Sequence, residues 1–502
     1  MKTGTLLAAI DLGSNSFRLE IGRVDQGQIQ RVEYLKETVR LGNGLDNDRN
    51  LTPAAMQKGW ECLSRFAERL KGMPATQAKA VATQTLREAH NRDEFLRQGE
   101  AILGFPIEVI SGVEEGRLIY QGVSHLLPDE PEPRLVIDIG GRSTEIIQGV
   151  GLRSEVVNSY RVGSVSSSLK HFATGELSQP ALHQAEVAAK AIVDEAASHY
   201  PRSVWQKAYG ASGTVGAVSD VLAASGWEGR VITREGLDWL TKCMIRAGHV
   251  DRLELEGLKE DRKAVVGGGV SVLRAVMDVL QIAELHVAEG ALRQGLLYDM
   301  LERSDQPTDQ RDLSVSRLAN RFQIDQEQAR RVEFVAQYFF AQLSENEHEL
   351  DRQALRKLGW AARLHEIGLA ISHADHHKHG AYILSHAEVL GFSDAELSRL
   401  GMLLLGQRGK LRKIDADWDN HRFCRMLMCL RLAVLLCHSR TQPHIEALRL
   451  HQHHKRLAFE LDVPREWAQA HPQSAHLLRQ EVTAWDKTAC AFSIEWSSRV
   501  LV

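Results

Sequence analysis

The sequence predicts a duplicated α/β fold, followed by an all-helical segment and a small α+β end. Three observations lead there. In "AAIDLGSNSFRLEIG", Ala8 to Gly22, an apolar run ends in an aspartate, then come a turn of small residues and a second, alternating run. In "RLVIDIGGRSTEIIQG", Arg134 to Gly149, the pattern returns, aligning Asp11 with Asp138, Gly13 with Gly140 and Ser16 with Ser143. Each copy is then followed by strands alternating with helical segments, the pattern of a mixed sheet covered by helices.

Taken in order, the first copy spans 1–130 and the second 131–304. Gly27 in "DQGQ" punctuates two alternating runs, so residues 5–41 read as a three-stranded meander. Helix (53–71), strand "KAVAT", helix (86–103), strand "PIEVIS" and helix (113–126) follow. In the second copy, helices near 178–199, 213–224, 233–247, 264–280 and 290–302 alternate with strands "KAYGAS" and "ELHVA". Beyond 304–310 ("SDQPTDQ") amphipathic runs at 311–345, 351–371 and 421–438 make a helical domain, 311–440. Alternating "EALRLHQHHKRLAFELD" and "CAFSIEW", with a helix near 466–483, make a small α+β domain, 441–502.

The 502 residues are 43% hydrophobic and 25% charged, ordinary globular composition for several domains. The six cysteines form no CxxC pair, which suits buried thiols in a reducing compartment, and the expected location is the cytoplasm. No apolar run approaches membrane-spanning length, and "LLAAI" stops too early for a signal peptide. A net charge of -4 gives no global pull on a polyanion, so any such ligand must be held by local cations or backbone amides; nucleic acid is not an expected partner.

A lone small-residue turn would be an ordinary hairpin. Two related turns facing one cleft present amides that nest an anion, beside carboxylates suited to a hard cation such as Mg²⁺. A third small-residue turn, "YGASGTVGA" (Tyr209 to Ala217), ends a strand at a helix N-terminus, another anion site.

These loops resemble those of the actin, sugar-kinase and Hsp70 ATPase-like superfamily, so the duplicated units are expected to be actin-like (ribonuclease H-like) domains. More specifically, "AIDLGSNSF", "ATQTLREA", "ISGVEEGRLIYQGV", "VIDIGGRSTE", "GASGT" and "GALRQGLLY" are similar, in this order, to the exopolyphosphatase and guanosine pentaphosphate phosphatase (Ppx/GppA) family. "WAARLHEIGLAISHADHHKHGAYIL" resembles its long, four-domain members. The resemblance implies an exopolyphosphatase that releases orthophosphate from the end of inorganic polyphosphate, with Mg²⁺ as cofactor, K⁺ as activator and a homodimeric assembly. The alternative within the same chemistry is hydrolysis of pppGpp to ppGpp. An ATP-dependent kinase or ATPase of the same fold stays open through the Gly-rich "VVGGGVSVL", Val265 to Leu273, as does a catalytically silent phosphate sensor.

Phosphoanhydride hydrolysis needs a base, a cation and donors for charge in flight. In "VISGVEEGRLIY", Ser111 and Glu114 have capping-box spacing, so Glu114 is expected to bond back to the Ser111 N–H. Glu115 points about 100° round the same turn, free of that duty, and the family's catalytic glutamate falls on it. Arg87, following "KAVAT", is a candidate guanidinium for a phosphate. By motif match Asp138 and Glu145 are the candidate metal ligands, with Asp11 opposite, through water. Gly13, Ser14, Asn15, Gly140, Gly141, Arg142, Ser143, Ser212, Gly213 and Thr214 are the remaining candidate phosphate donors. Arg142 departs from the small residue common in the family, and is expected to face solvent or add charge at the cleft.

The helical domain resembles the HD phosphohydrolase fold, but with His365-Glu366 in place of His-Asp. The histidines near it (His373, His376, His377, His379, His386) are therefore expected to hold no second metal. In "GQRGKLRKI", Arg408, Lys410, Arg412 and Lys413 alternate with small or apolar residues, a spacing suited to a repeated anion.

Overall fold

The structure is a computed structural model describing residues 1–127, 132–303, 310–343, 349–387, 389–411, 414, 418–453, 457–486 and 488–497. It divides into two compact units, 1–309 and 310–502. In the first unit the duplication holds strand for strand. One sheet has the order β3-β2-β1-β4-β5, from Leu6–Leu12 (β1), Phe17–Asp25 (β2), Gln28–Glu37 (β3), Ala78–Ala82 (β4) and Ile107–Val109 (β5). The second comprises Pro133–Ile139 (β6), Thr144–Val150 (β7), Arg153–Tyr160 (β8), Lys207–Gly210 (β9), Val231–Thr233 (β10) and Glu284–Val287 (β11), in the order β10-β11-β9-β6-β7-β8.

In both sheets three antiparallel meander strands are joined by parallel neighbours: β4 and β5 in one, β9 and β11 in the other. This is the actin-like (ribonuclease H-like) arrangement, and β10 adds an antiparallel edge to the second copy alone. Even the irregularities repeat. The register shifts at Ile21/Gly22 and again at Gln148/Gly149, so a bulge bends both meanders at one place.

Two helices, Gly112–Ser124 and Leu292–Arg303, lie between the sheets and share an apolar cluster with Leu7, Ala9, Val81, Val136 and Ile147. Their backbones touch, because a methyl group on Gly295 would overlap the Leu118 carbonyl oxygen. The motifs "VEEGRLIYQG" and "GALRQGLLY" are in large part this packing seam.

Where the sequence reads a helix over 86–103, the structure has two, Gln84–Glu88 and Arg92–Leu103. Asn91 causes the break: its side chain accepts from the Leu51 N–H at 2.8 Å and donates to the Leu51 carbonyl at 3.0 Å, competing with helix continuation. The helix Ser164–His171 has no apolar periodicity to announce it. It forms because the Ser166 hydroxyl accepts from the Gly163 N–H and because Gly268 lets the chain approach closely, with the Gly268 N–H donating to Ser168 Oγ at 3.1 Å. Gly267 to Gly269 are thus buried inside the helix Glu260–Val279 as a contact surface, Gly267 for Phe172 and Leu177, Gly268 for Ser164 and Ser168, and Gly269 for Thr214. The Gly-rich run that kept a nucleotide-kinase reading open is a packing seam.

In the second unit the helices Gln310–Arg321, Gln326–Leu343, Glu349–Arg363, His376–His386, Asp394–Gly406 and His421–Leu436 precede Arg449–His453 (β12), Ala458–Pro464 (β13) and Ala491–Ser497 (β14). Their sheet has the order β12-β13-β14 and shares one core with the helices. The run expected helical to residue 371 ends at Arg363 and resumes as a 3₁₀ turn, Ile367–Ala370. Among the described residues no helix is long and apolar enough to cross a membrane.

Candidate active site

The two hairpin turns meet. A Cβ on Gly13 would stand 3.1 Å from the Ser16 carbonyl oxygen, and one on Gly140 would stand 3.1 Å from that of Ser143, so equivalent glycines close equivalent turns. A Cβ on Gly141 would lie 3.1 Å from Ser14 Cβ across the gap. Between the turns and the third loop opens a narrow cleft. Asp11, Gly13, Ser14, Asn15, Glu115, Asp138, Gly140, Gly141, Arg142, Ser143, Ser212, Gly213 and Thr214 all line it, as the sequence reading expects.

Several of the hydroxyls are committed to shaping these loops. Ser212 Oγ accepts from the Val215 N–H at 3.0 Å, Thr214 Oγ donates to the Ile139 carbonyl at 3.0 Å, and Ser14 Oγ accepts from Thr85 at 2.7 Å. Thr214 has thus spent its proton, whereas Ser14 and Ser212, as acceptors, keep theirs to offer an anion beside backbone amides, the helix starts at Gly213 and Ser164, and arginines.

Three of those arginines, Arg18, Arg262 and Arg293, line the cleft without having been singled out from sequence. Arg18 faces Asp11 in the β1–β2 register, at 3.3 Å. Arg293 lies 3.7 Å from Asp11 and 3.3 Å from the buried Glu20. Arg262 packs its guanidinium on Gly213, and burial together with the charge of Arg18 lowers its pKa. Neighbouring buried cations of this kind are stabilised by an anion between them. Arg18 was readable as the residue across from Asp11, and Arg293 stands inside "GALRQGLLY". Nothing local marks Arg262.

The carboxylates divide by partner. Glu115 Oε2 accepts from Arg87 Nη1 at 2.9 Å; burial raises its pKa, Arg87 opposes the rise, and Asp11 adds to it. Arg87 does not line the cleft, because its guanidinium also donates to the Ile110 carbonyl (2.7 Å) and to Gln84 Oε1. It stands behind Glu115 rather than on a phosphate. Ser111 caps its helix through the Glu114 N–H at 3.1 Å, but Glu114 departs from the expected box: its carboxylate turns onto Arg117, at 2.8 and 2.7 Å, and Arg117 also reaches Asp299 at 2.7 Å. A buried guanidinium is a stronger donor than a backbone N–H already near a helix end.

Asp138 and Glu145 face each other in the β6–β7 register. Burial first, and then the charge of Glu115, push Asp138 up to about 7. Glu145, 1% exposed and behind the cleft wall, is raised by burial, then by Glu115 and Asp138; Ser159 donates to it at 2.8 Å. Among the described residues no three ligating side chains converge as a ready-made metal cage. Mg²⁺ seldom uses one, binding through one or two carboxylates, waters and substrate phosphates. Carboxylates that raise one another's pKa are the donor set such a cation would relieve.

A stability prediction follows. An acid whose folded pKa exceeds its unfolded value binds its proton more tightly when folded, so its contribution is lost as pH rises from the unfolded value, about 4, towards the folded one. In chelator, Asp138→Asn should therefore gain Tm over wild type between about pH 5 and pH 8, and added Mg²⁺ should shrink the gap. A pH-independent difference would mean that Asp138 is not held protonated.

In the second unit Arg408 lines a cavity with His365, Glu366, His376 and Arg440, and Lys410 is exposed. Arg412 and Lys413 lie outside the described residues. His365 is buried with Nδ1 against the Ala362 carbonyl at 2.6 Å, and Glu366 is ion-paired with Arg440.

Comparison with known proteins agrees with this geometry. Residues 20–304 match the model of the Ppx/GppA phosphatase family, and residues 310–482 match Ppx/GppA phosphatase, domain III. A guanosine-5'-triphosphate,3'-diphosphate pyrophosphatase of Aeromonas hydrophila is 39% identical over 505 aligned residues, covering all of both chains. The crystal structure of an exopolyphosphatase-like protein is 27% identical with a TM-score of 0.54, covering 59% of this chain and 98% of that one. An exopolyphosphatase from Cytophaga hutchinsonii (21%, TM-score 0.53, 60% and 98% covered) shares the fold. On the paired phosphate turns, the buried glutamate between them and these matches, the chain belongs to the Ppx/GppA phosphatase family.

Proposed function

We propose that this hydrolase of phosphoanhydride bonds acts on pppGpp, releasing the 5'-terminal phosphate to leave ppGpp. The observation that carries the hydrolytic part of this reading is Glu115, buried between two phosphate turns with one carboxylate oxygen held by Arg87 and the other without a protein donor among the described residues. That oxygen is the acceptor for a proton from the attacking water. Burial raises the basicity of Glu115, while Arg87 keeps it ionised and aimed. Backbone amides of the three turns hold the terminal phosphate, and Arg18, Arg262 and Arg293 take the charge that builds on its oxygens. Mg²⁺, when bound, would be held by Asp138 and Asp11 at the cleft with Glu145 behind Asp138, and would supply charge neutralisation on the transferring phosphate.

Polyphosphate ends in the same bond, and the sequence alone favours it first. Full-length similarity to a pppGpp-cleaving relative, against partial similarity to exopolyphosphatases, turns the preference to pppGpp. Initial rates of the purified chain on pppGpp and on long-chain polyphosphate test it, with a kcat/KM for pppGpp at least about tenfold the higher expected. The reverse order restores the exopolyphosphatase reading. Chelation should abolish both rates, and Asp138→Asn should raise the Mg²⁺ needed to restore them.

A further inference from the structure

Arg142, in the second phosphate turn, reaches across to the first half of the unit. Its Nε and Nη2 donate to Glu88 Oε2 at 3.1 and 2.9 Å, and its Nη1 donates to the Gly42 carbonyl at 3.2 Å. The other oxygen of Glu88 accepts from Gln84 Nε2 at 2.6 Å. Gln84 Oε1 accepts from Arg87 Nε at 3.1 Å and Nη2 at 2.7 Å, and Arg87 Nη1 donates to Glu115 Oε2 at 2.9 Å. Unbroken hydrogen bonds thus run from a residue lining the cleft, round one turn of the helix Gln84–Glu88, to the base.

The order of donors and acceptors gives this chain a direction. The Gln84 amide must point its NH₂ at a carboxylate and its oxygen at a guanidinium; flipped, it would set N–H against N–H and oxygen against carboxylate. Glu88 therefore fixes the orientation of Gln84, and that orientation supplies the acceptor that holds Arg87. Arg142 and Glu88 expose 21% and 18% of their side chains, so their pair is sheltered beyond the usual surface ion pair.

We infer that Arg142, Glu88 and Gln84 are positioning residues: a relay by which engagement of the second phosphate turn sets the orientation of Glu115. The inference rests on Glu115 being the base. It distinguishes Arg142 from a simple phosphate ligand, whose pairing with Glu88 would only compete with substrate.

The two roles differ in sign at Glu88. As a relay, Glu88→Ala, Gln84→Ala and Arg142→Ala each lower kcat, by about tenfold, with smaller changes in KM. The double variant Glu88→Ala/Arg142→Ala is then no worse than either single one. Glu88→Gln, which keeps one acceptor oxygen, recovers part of the loss. As a plain phosphate ligand, Arg142 is freed by Glu88→Ala and a repelling charge leaves, so kcat/KM rises while Arg142→Ala raises KM; that pattern overturns the relay. If wild type turns over neither pppGpp nor polyphosphate, the functional reading fails instead. The relay is then read from exchange of the Arg87 Nε–H with solvent by ¹⁵N NMR: acceleration by about tenfold or more in Glu88→Ala supports it, since exchange tracks local opening, and an unchanged rate overturns it.

Discussion

Replacing Glu115 by glutamine is expected to lower kcat for phosphate release by about 10²–10⁴-fold with little change in KM, the scale for loss of a positioned general base. The substitution conserves shape and still offers an oxygen to Arg87 Nη1, so the helix Gly112–Ser124 and the turns above it keep their places. What disappears is the oxygen that takes the proton. The same substitution removes the charge that stands first, after burial, among the causes raising Asp138 and Glu145. Single-turnover phosphate release together with substrate binding separates the two effects. Retention of more than about a tenth of kcat would take Glu115 out of the role of base.

Replacing Arg117 by methionine is expected to cost stability rather than chemistry, by about 3–5 kcal/mol, the range for removing one partner from a buried ion pair. Arg117 is 6% exposed and holds Glu114 (2%) on its own helix and Asp299 (4%) on the helix Leu292–Arg303. Without it both buried carboxylates lose their shared guanidinium at the seam where these helices touch, though Asp299 keeps Lys79 at 3.5 Å. Glu114→Gln should cost less, because Asp299 still answers the guanidinium and the amide oxygen still accepts. Chemical unfolding of the three proteins measures this. Turnover per folded molecule should stay close to wild type in Glu114→Gln, and a loss there as deep as in Glu115→Gln would mean that the adjacent glutamates have been assigned the wrong way round.

Much of the site was legible because its chemistry sits in short motifs. Asp11, the Gly13–Ser16 turn, Asp138 and the Gly140–Ser143 turn follow from a repeat, and a repeat in sequence becomes a pair of facing turns in space. Glu115 followed from the family resemblance of "ISGVEEGRLIYQGV", with the neighbouring Glu114 assigned to the Ser111 cap. The role of Glu114 was misread since a local capping rule weighs only neighbours along the chain, whereas Asp299, far off in sequence, helps to hold the Arg117 guanidinium at which Glu114 points. Arg87 was placed on a phosphate for a similar reason: from sequence it is a cation after a strand, and only the fold shows its acceptors already supplied.

By itself the sequence determined the repeated strand–turn–strand unit, the three small-residue turns and the carboxylates beside them, since period-two alternation, glycine turns and motif spacing are properties of neighbouring residues. Tertiary structure alone decided the rest. It set Arg262 on Gly213, made the glycines of "VVGGGVSVL" a seam between helices, and carried Arg142 from the second turn onto Glu88 of the first half. The physical reason is that the sign and strength of a charge's effect depend on which partners share its desolvated surroundings, and those partners come from strands and helices that only folding brings together.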